Sequence, residues 1–185
     1  MQTADAAEAP ARPRPRFSPG RYVFWLAAVL VVALDQITKA IVRSTLDVGE
    51  RWPTSGPVYF RYVTNTGAAF GSLQNATTLL IGMTFIGLAA IYLYYRNPPF
   101  QHWIASVAIG MMLGGAIGNL IDRVRVGRVT DFAHLFPHFP NFNVADSSIS
   151  IGVTIIIIGY LLFGEQQKPK PAPAPETHAD PPADV

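Results

Sequence analysis

Four stretches of about 20 mostly apolar residues, at 22–43, 76–95, 102–122 and 144–163, dominate this chain. A helix of about 20 residues crosses the hydrocarbon core of a bilayer. Lipid offers the backbone no hydrogen-bond partners, so helices are the economical way to span it. The sequence therefore predicts an all-α membrane protein with four transmembrane helices. The first span carries Asp35 and Lys39 in its outer half and follows Arg12, Arg14, Arg16 and Arg21, an arrangement a cleaved signal peptide also shows. No small-x-small cleavage site follows it and three more spans do, so it reads as a retained helix.

The segment between the first two spans, 48–74, alternates aromatic and β-branched residues around Tyr59-Phe60-Arg61-Tyr62-Val63. This predicts a small β-rich platform on the membrane surface. It ends in Asn65-Thr66-Gly67-Ala68-Ala69-Phe70-Gly71, whose small residues allow close backbone approach. Residues 1–20 and the Pro-rich 165–185 read as disordered segments flanking a four-span membrane domain at 21–164. An inside N-terminus divides the cations seven and seven between the two sides, but the four Arg before the first span favour that orientation. Outer Arg residues then call for pairing within a site or contact with headgroups.

Charge is scarce inside the spanning region. Of 12 Asp and Glu, only Asp35, Asp47, Glu50, Asp122, Asp131 and Asp146 fall between 22 and 163. The chain has no cysteine, which removes thiolate metal sites and a Cys nucleophile, and a net charge of +2 gives no reason to expect nucleic acid.

Polar clusters sit where spans meet water, and such residues near lipid mark functional sites. Asp35 and Lys39 are four apart and form an ion pair closing the first span, with Lys39 snorkelling outward. In the third span Gly110, Gly114 and Gly118 make a ridge for helix packing, while Gly115, Asn119 and Asp122 line a neighbouring face ending at Arg123. Asn143 and Asp146 have the spacing of a capping box at the start of the fourth span. Asp131 lies in the loop leading there, and the short connector 133–142 can fold it against Asp146. Two carboxylates near a low-dielectric surface share a proton, and water-activated amide hydrolysis needs one acid and one base. Two other chemistries are weaker. Asp131, His134 and His138 could hold a metal, but Pro137 breaks the helix that would align the histidines. Ser147, Ser148 and Ser150 lack a Gly-x-Ser-x-Gly elbow, and Lys39 as their base would require the first and last spans to meet.

Five motifs occur in order: Asp35-Gln36-x-x-Lys39, Asn65-x-Gly67-Ala68-Ala69-Phe70, Gly114-Gly115-Ala116-x-Gly118-Asn119-x-x-Asp122-Arg123, Val129-x-Asp131-Phe132 and Phe142-Asn143-x-Ala145-Asp146-Ser147. Together they resemble bacterial lipoprotein signal peptidase, signal peptidase II, over about residues 22–163. The resemblance implies an aspartic endopeptidase of the bacterial inner membrane that works without a cofactor, with its site at the periplasmic face. It would cut prolipoproteins just before a diacylglyceryl-modified Cys, among membrane phospholipids, as a monomer. Asp131 and Asp146 would form the catalytic dyad. Asp35, Lys39, Asn65, Gly67, Asn119, Asp122, Arg123 and Asn143 would form the surrounding shell, with Asp122 the alternative partner of Asp146. The rival readings are a four-span proton-coupled transporter and a lipid-binding assembly protein. A transporter would carry charges near the midplane and an internal repeat; here the polar groups cluster at one face.

Overall fold

The computed structural model describes residues 19–67, 77–96, 103–136 and 139–163. The N-terminal segment, the run Ala68-Ala69-Phe70-Gly71, Pro137, His138 and the Pro-rich tail all lie outside the described residues. The elements run α1 (Pro19–Thr45), β1 (Arg51–Trp52), β2 (Tyr59–Asn65), α2 (Thr77–Arg96), α3 (Trp103–Val126), β3 (Val129–His134) and α4 (Val144–Phe163). All four helices are long and apolar enough to cross a membrane. Their outward faces are apolar, as Leu30, Leu34, Ile86, Leu93, Ile157 and Leu161 illustrate.

The third helix is the hub, with α1, α4 and α2 packed around it. Lipid tails are as apolar as leucine, so helices associate in membranes through close packing and polar contacts rather than through hydrophobic burial. The sequence of α3 supplies that closeness. A Cβ on Gly114 would lie 2.6 Å from the Ala28 carbonyl oxygen of α1, and one on Gly110 would overlap the Phe24 carbonyl. On the other side, a Cβ on Gly115 would lie 2.5 Å from the Ala145 carbonyl of α4. We expect Gly114→Ala to destabilise the protein by about 1–3 kcal/mol, because rigid backbone, not a yielding side chain, occupies the space. Thermal unfolding in detergent measures this; an unchanged midpoint would show that α1 and α3 are not held this closely.

Helix α3 runs one turn past Asp122 and ends at Gly127, whose φ of 72° and N–H to the Arg123 carbonyl (3.0 Å) form a left-handed C-cap. The turn delivers the chain into β3. Here the sequence reading is corrected: Asp131 lies on a strand, not in a loop. The three strands form one antiparallel sheet in the order β1-β2-β3, with Val63 opposite Asp131 and Asn65 opposite Val129. The strand escaped notice because Val-Thr-Asp-Phe-Ala-His has no clean alternation, and its burial explains why, since Val129 to Phe132 are all buried. After β3 the connector folds back. Phe142 and Ala133 exchange hydrogen bonds of 2.8 and 3.1 Å, which sets the start of α4 beside the strand.

Candidate active site

The capping box at α4 is complete and does double duty. The Asp146 N–H donates to Asn143 Oδ1 (2.9 Å), and the Asn143 N–H donates back to Asp146 Oδ2 (3.2 Å). The same Asn143 donates through Nδ2 to Asp131 Oδ1 at 2.7 Å. One buried asparagine thus bridges the two carboxylates, and the cap reading and the paired-carboxylate reading describe the same residue.

Each neighbouring amide has its orientation fixed by a partner of known polarity. Lysine only donates, so Lys39 Nζ fixes Asn119 Oδ1 (2.9 Å) and turns Asn119 Nδ2 onto Asp146 Oδ1 (2.7 Å). The Gly67 N–H likewise fixes Asn65 Oδ1 (2.9 Å) and turns Asn65 Nδ2 onto Asp131 Oδ2 (2.9 Å). Both carboxylates therefore receive two donors each.

Lys39 does not snorkel. It is fully buried, as is Asp35, and its three protons meet Asp35 (2.8 Å), Asp122 (3.3 Å) and Asn119. Three acceptors facing inward leave the ammonium nothing to gain by reaching for water. Asp35 in turn accepts the Ala145 N–H (3.0 Å), tying α1 to the first turn of α4. Gly118 makes room for it, since a Cβ there would lie 2.5 Å from Asp35 Oδ2.

Asp122 has a different neighbourhood from Asp131. It accepts the Thr130 N–H (3.0 Å) and pairs with Lys39 and Arg43, and it is buried behind the strand. Asp131 and Asp146 both line a cavity of about 760 Å³ walled by Asn65, Gly67, Phe136, Phe139, Ser150 and Ile151. Burial first, and then the charge of Asp146, push Asp131 up to about 7, against the pull of hydrogen bonds from Asn65 and Asn143 and the charge of Lys39. Near neutral pH it can hold or release a proton. Arg123 lines the same cavity, reaches the Gly67 carbonyl (3.4 Å), and lies within the field of Asp131, Asp146 and Asp122. A second, apolar groove of about 580 Å³ continues from Asn119 and Arg123 between α2, α3 and α4 down to Tyr94.

Residues 27–162 match the signal peptidase (SPase) II family. The chain belongs to this family. Lipoprotein signal peptidase of Shouchella clausii is 38% identical over 145 residues, covering 78% of this chain and 96% of that protein. The one from Moorella thermoacetica is 40% identical over 149 residues, covering 80% and 99%. A bacterial membrane enzyme solved by the in meso method superposes with a TM-score of 0.74 at 35% identity, covering 82% of this chain and 95% of its own. A second such enzyme gives 0.69 at 37% identity, covering 76% and 93%. This member of the family is therefore a multi-pass membrane peptidase, and neither the transporter nor the lipid-binder reading finds support.

Within the peptidase, the competing site readings find other partners. Ser147 and Ser148 donate to the carbonyls of Asn143 and Val144 at the start of α4 (3.0 and 2.8 Å), and Lys39 is fully engaged with Asp35, Asp122 and Asn119. His134 stacks on Tyr59 at 4.4 Å and shares a 2.9 Å hydrogen bond with Asn141, while His138 lies outside the described residues. Two contributors were missed in the sequence. Thr130 is bound through its N–H to Asp122 and through its carbonyl by Asn143 (3.3 Å), and nothing in its local sequence marks it. Arg43 was legible: Asp35, Lys39 and Arg43 repeat at every fourth position and share a helix face.

Proposed function

We propose that this chain is an aspartic endopeptidase that removes signal peptides from prolipoproteins, using Asp131 and Asp146 to activate water. The observation that carries the reading is the Asn143 bridge, which joins buried Asp131 to half-buried Asp146 on the wall of one cavity. Family membership and the names of the relatives support the substrate class. In the reading, ionised Asp146 takes a proton from water while the water oxygen bonds to the scissile carbonyl carbon. Asp131, able to hold a proton near neutral pH, gives it to the carbonyl oxygen. The tetrahedral diol collapses as its C–N bond breaks: the leaving amine takes up the proton held by Asp146, and one diol hydroxyl returns its proton to Asp131 as the carboxylic acid product forms, which restores the pair. Arg123 stands near enough to the pair to offset the charge that develops.

The apolar groove beyond Asn119 and Arg123 supports a substrate carrying a diacylglyceryl-modified Cys, since it continues from the reacting centre toward the lipid-facing helices. The substrate arrives sideways from the bilayer, with membrane phospholipid as its surroundings and no nucleic acid involved. Family membership supports a bacterial inner-membrane location, and the N-terminal Arg cluster favours both termini inside, which puts the site at the periplasmic face. The working unit is a monomer, residues 21–164, flanked by an N-terminal segment and a Pro-rich tail that take no part in the chemistry.

The test is cleavage of a lipidated and an unlipidated prolipoprotein by purified enzyme across pH, with and without a strong chelator. We expect cleavage of the lipidated form, insensitive to chelation, with a bell-shaped pH dependence belonging to the pair. Below the acid limb both carboxylates are protonated and no base remains. Above the alkaline limb both are ionised and no acid remains. Activity lost to chelator and restored by zinc would replace the aspartic mechanism with a metal one.

A further inference from the structure

Arg43 stands outside every motif that marks the site, on the last turn of α1, yet it reaches into the buried cluster. Its Nη1 lies 3.4 Å from Asp122 Oδ1 and donates to Thr130 Oγ1 at 3.1 Å. Thr130 precedes Asp131 on β3, and its own N–H is held by Asp122 Oδ2. Arg43 therefore grips the residue next to one carboxylate of the pair, both directly and through Asp122.

Its charge matters as much as its grip. The charged network around the pair comprises Asp35 and Lys39 from α1, Arg123 from α3 and, behind β3, Asp122 of α3 with its partner Arg43 of α1. Lys39, Arg43 and Arg123 are three cations; Asp35 and Asp122 are two fixed anions held by Lys39 and Arg43. A carboxylate pair with one proton adds one more negative charge, and the cluster is then neutral. A pair with no proton leaves it negative, and a pair with two leaves it positive. In a low-dielectric setting, either imbalance is costly.

We propose that Arg43 is a positioning residue that sets the one-proton state of the Asp131–Asp146 pair. It completes the charge balance of the cluster and fixes β3 through Asp122 and Thr130. The proposal rests on the aspartic reading above.

Profiles of kcat/KM against pH for full-length protein in detergent, cleaving lipidated prolipoprotein, test it. Arg43→Gln removes a positive charge, so the pair keeps its protons to higher pH. Both limbs of the bell should move up by roughly half to one pH unit, the scale of one charge acting across several ångströms of partly screened protein. Asp122→Asn removes a negative charge and should move both limbs down. Combining the two substitutions restores the balance and should return the limbs to within about 0.3 unit of wild type, a tolerance that additive, opposed charge effects allow. Arg43→Lys keeps the charge and should keep the wild-type profile even where its turnover falls. Lower turnover with unmoved limbs in both Arg43→Gln and Asp122→Asn would reduce Arg43 to a structural strut and overturn the proposal. A wild-type profile without two limbs would remove the aspartic pair itself, and the proposal with it. If Arg43→Gln fails to fold, the downward shift of Asp122→Asn decides alone, and its absence overturns the charge balance.

Discussion

We expect Asp131→Asn and Asp146→Asn each to abolish cleavage, by about 10³-fold or more in kcat/KM, while the protein stays inserted and folded. Positioned proton transfer contributes on this scale at each of the two steps, and an amide can neither take a proton from water nor hand one to a carbonyl. The shape is kept. At position 131 the new NH₂ group faces a donor, either Asn65 Nδ2 or Asn143 Nδ2, so one hydrogen bond is lost at a cost of about 1–3 kcal/mol. That cost moves the unfolding midpoint but leaves most molecules folded at assay temperature. Single-turnover cleavage of a lipidated prolipoprotein, with unfolding followed by tryptophan fluorescence, separates the two effects. Near-normal turnover in Asp131→Asn together with inactivity in a folded Asp122→Asn would transfer the role to Asp122.

Lys39→Met is expected to have the second largest effect. Methionine fits the space of the buried stem but leaves Asp35 and Asp122, both buried, without the ammonium between them. Removing one partner of a buried ion pair costs about 3–5 kcal/mol, because an uncompensated charge stays behind. Asn119 also loses the contact that orients its amide toward Asp146, so activity should fall even in molecules that remain folded. Adding Asp35→Asn to Lys39→Met should recover part of the unfolding midpoint, since it neutralises one of the stranded carboxylates. A midpoint unchanged in Lys39→Met would mean the buried lysine is not the keystone of this cluster.

The two halves of the Asp35–Lys39 reading fared differently, for a physical reason. Four-residue spacing on a helix guarantees a shared face, and the ion pair is there at 2.8 Å. Spacing says nothing about what packs on that face. The expectation of a lysine reaching for water failed because Asp122 and Asn119 of α3 bring two more acceptors to it, and Gly118 lets α1 come close enough for them to do so. Arg43 belongs to the same stripe and was readable as a position, but its partner Asp122 lies 79 residues away.

The bare sequence determined the four helices, because an apolar run of membrane length has one economical backbone solution in lipid. It also determined the short roster of carboxylates, since so few charges survive within the spans, and the reciprocal cap of Asn143 and Asp146, which is a contact within one helical turn. Ordered motifs carried the family. Tertiary structure alone decided that Asp131 sits on a buried strand, that the returning connector brings it to Asn143, and that Asp122 is held by two cations behind that strand instead of facing the cavity. Those are contacts between segments distant in sequence, and their partners are fixed by how closely the glycines of α3 let its neighbours approach, which no local pattern encodes.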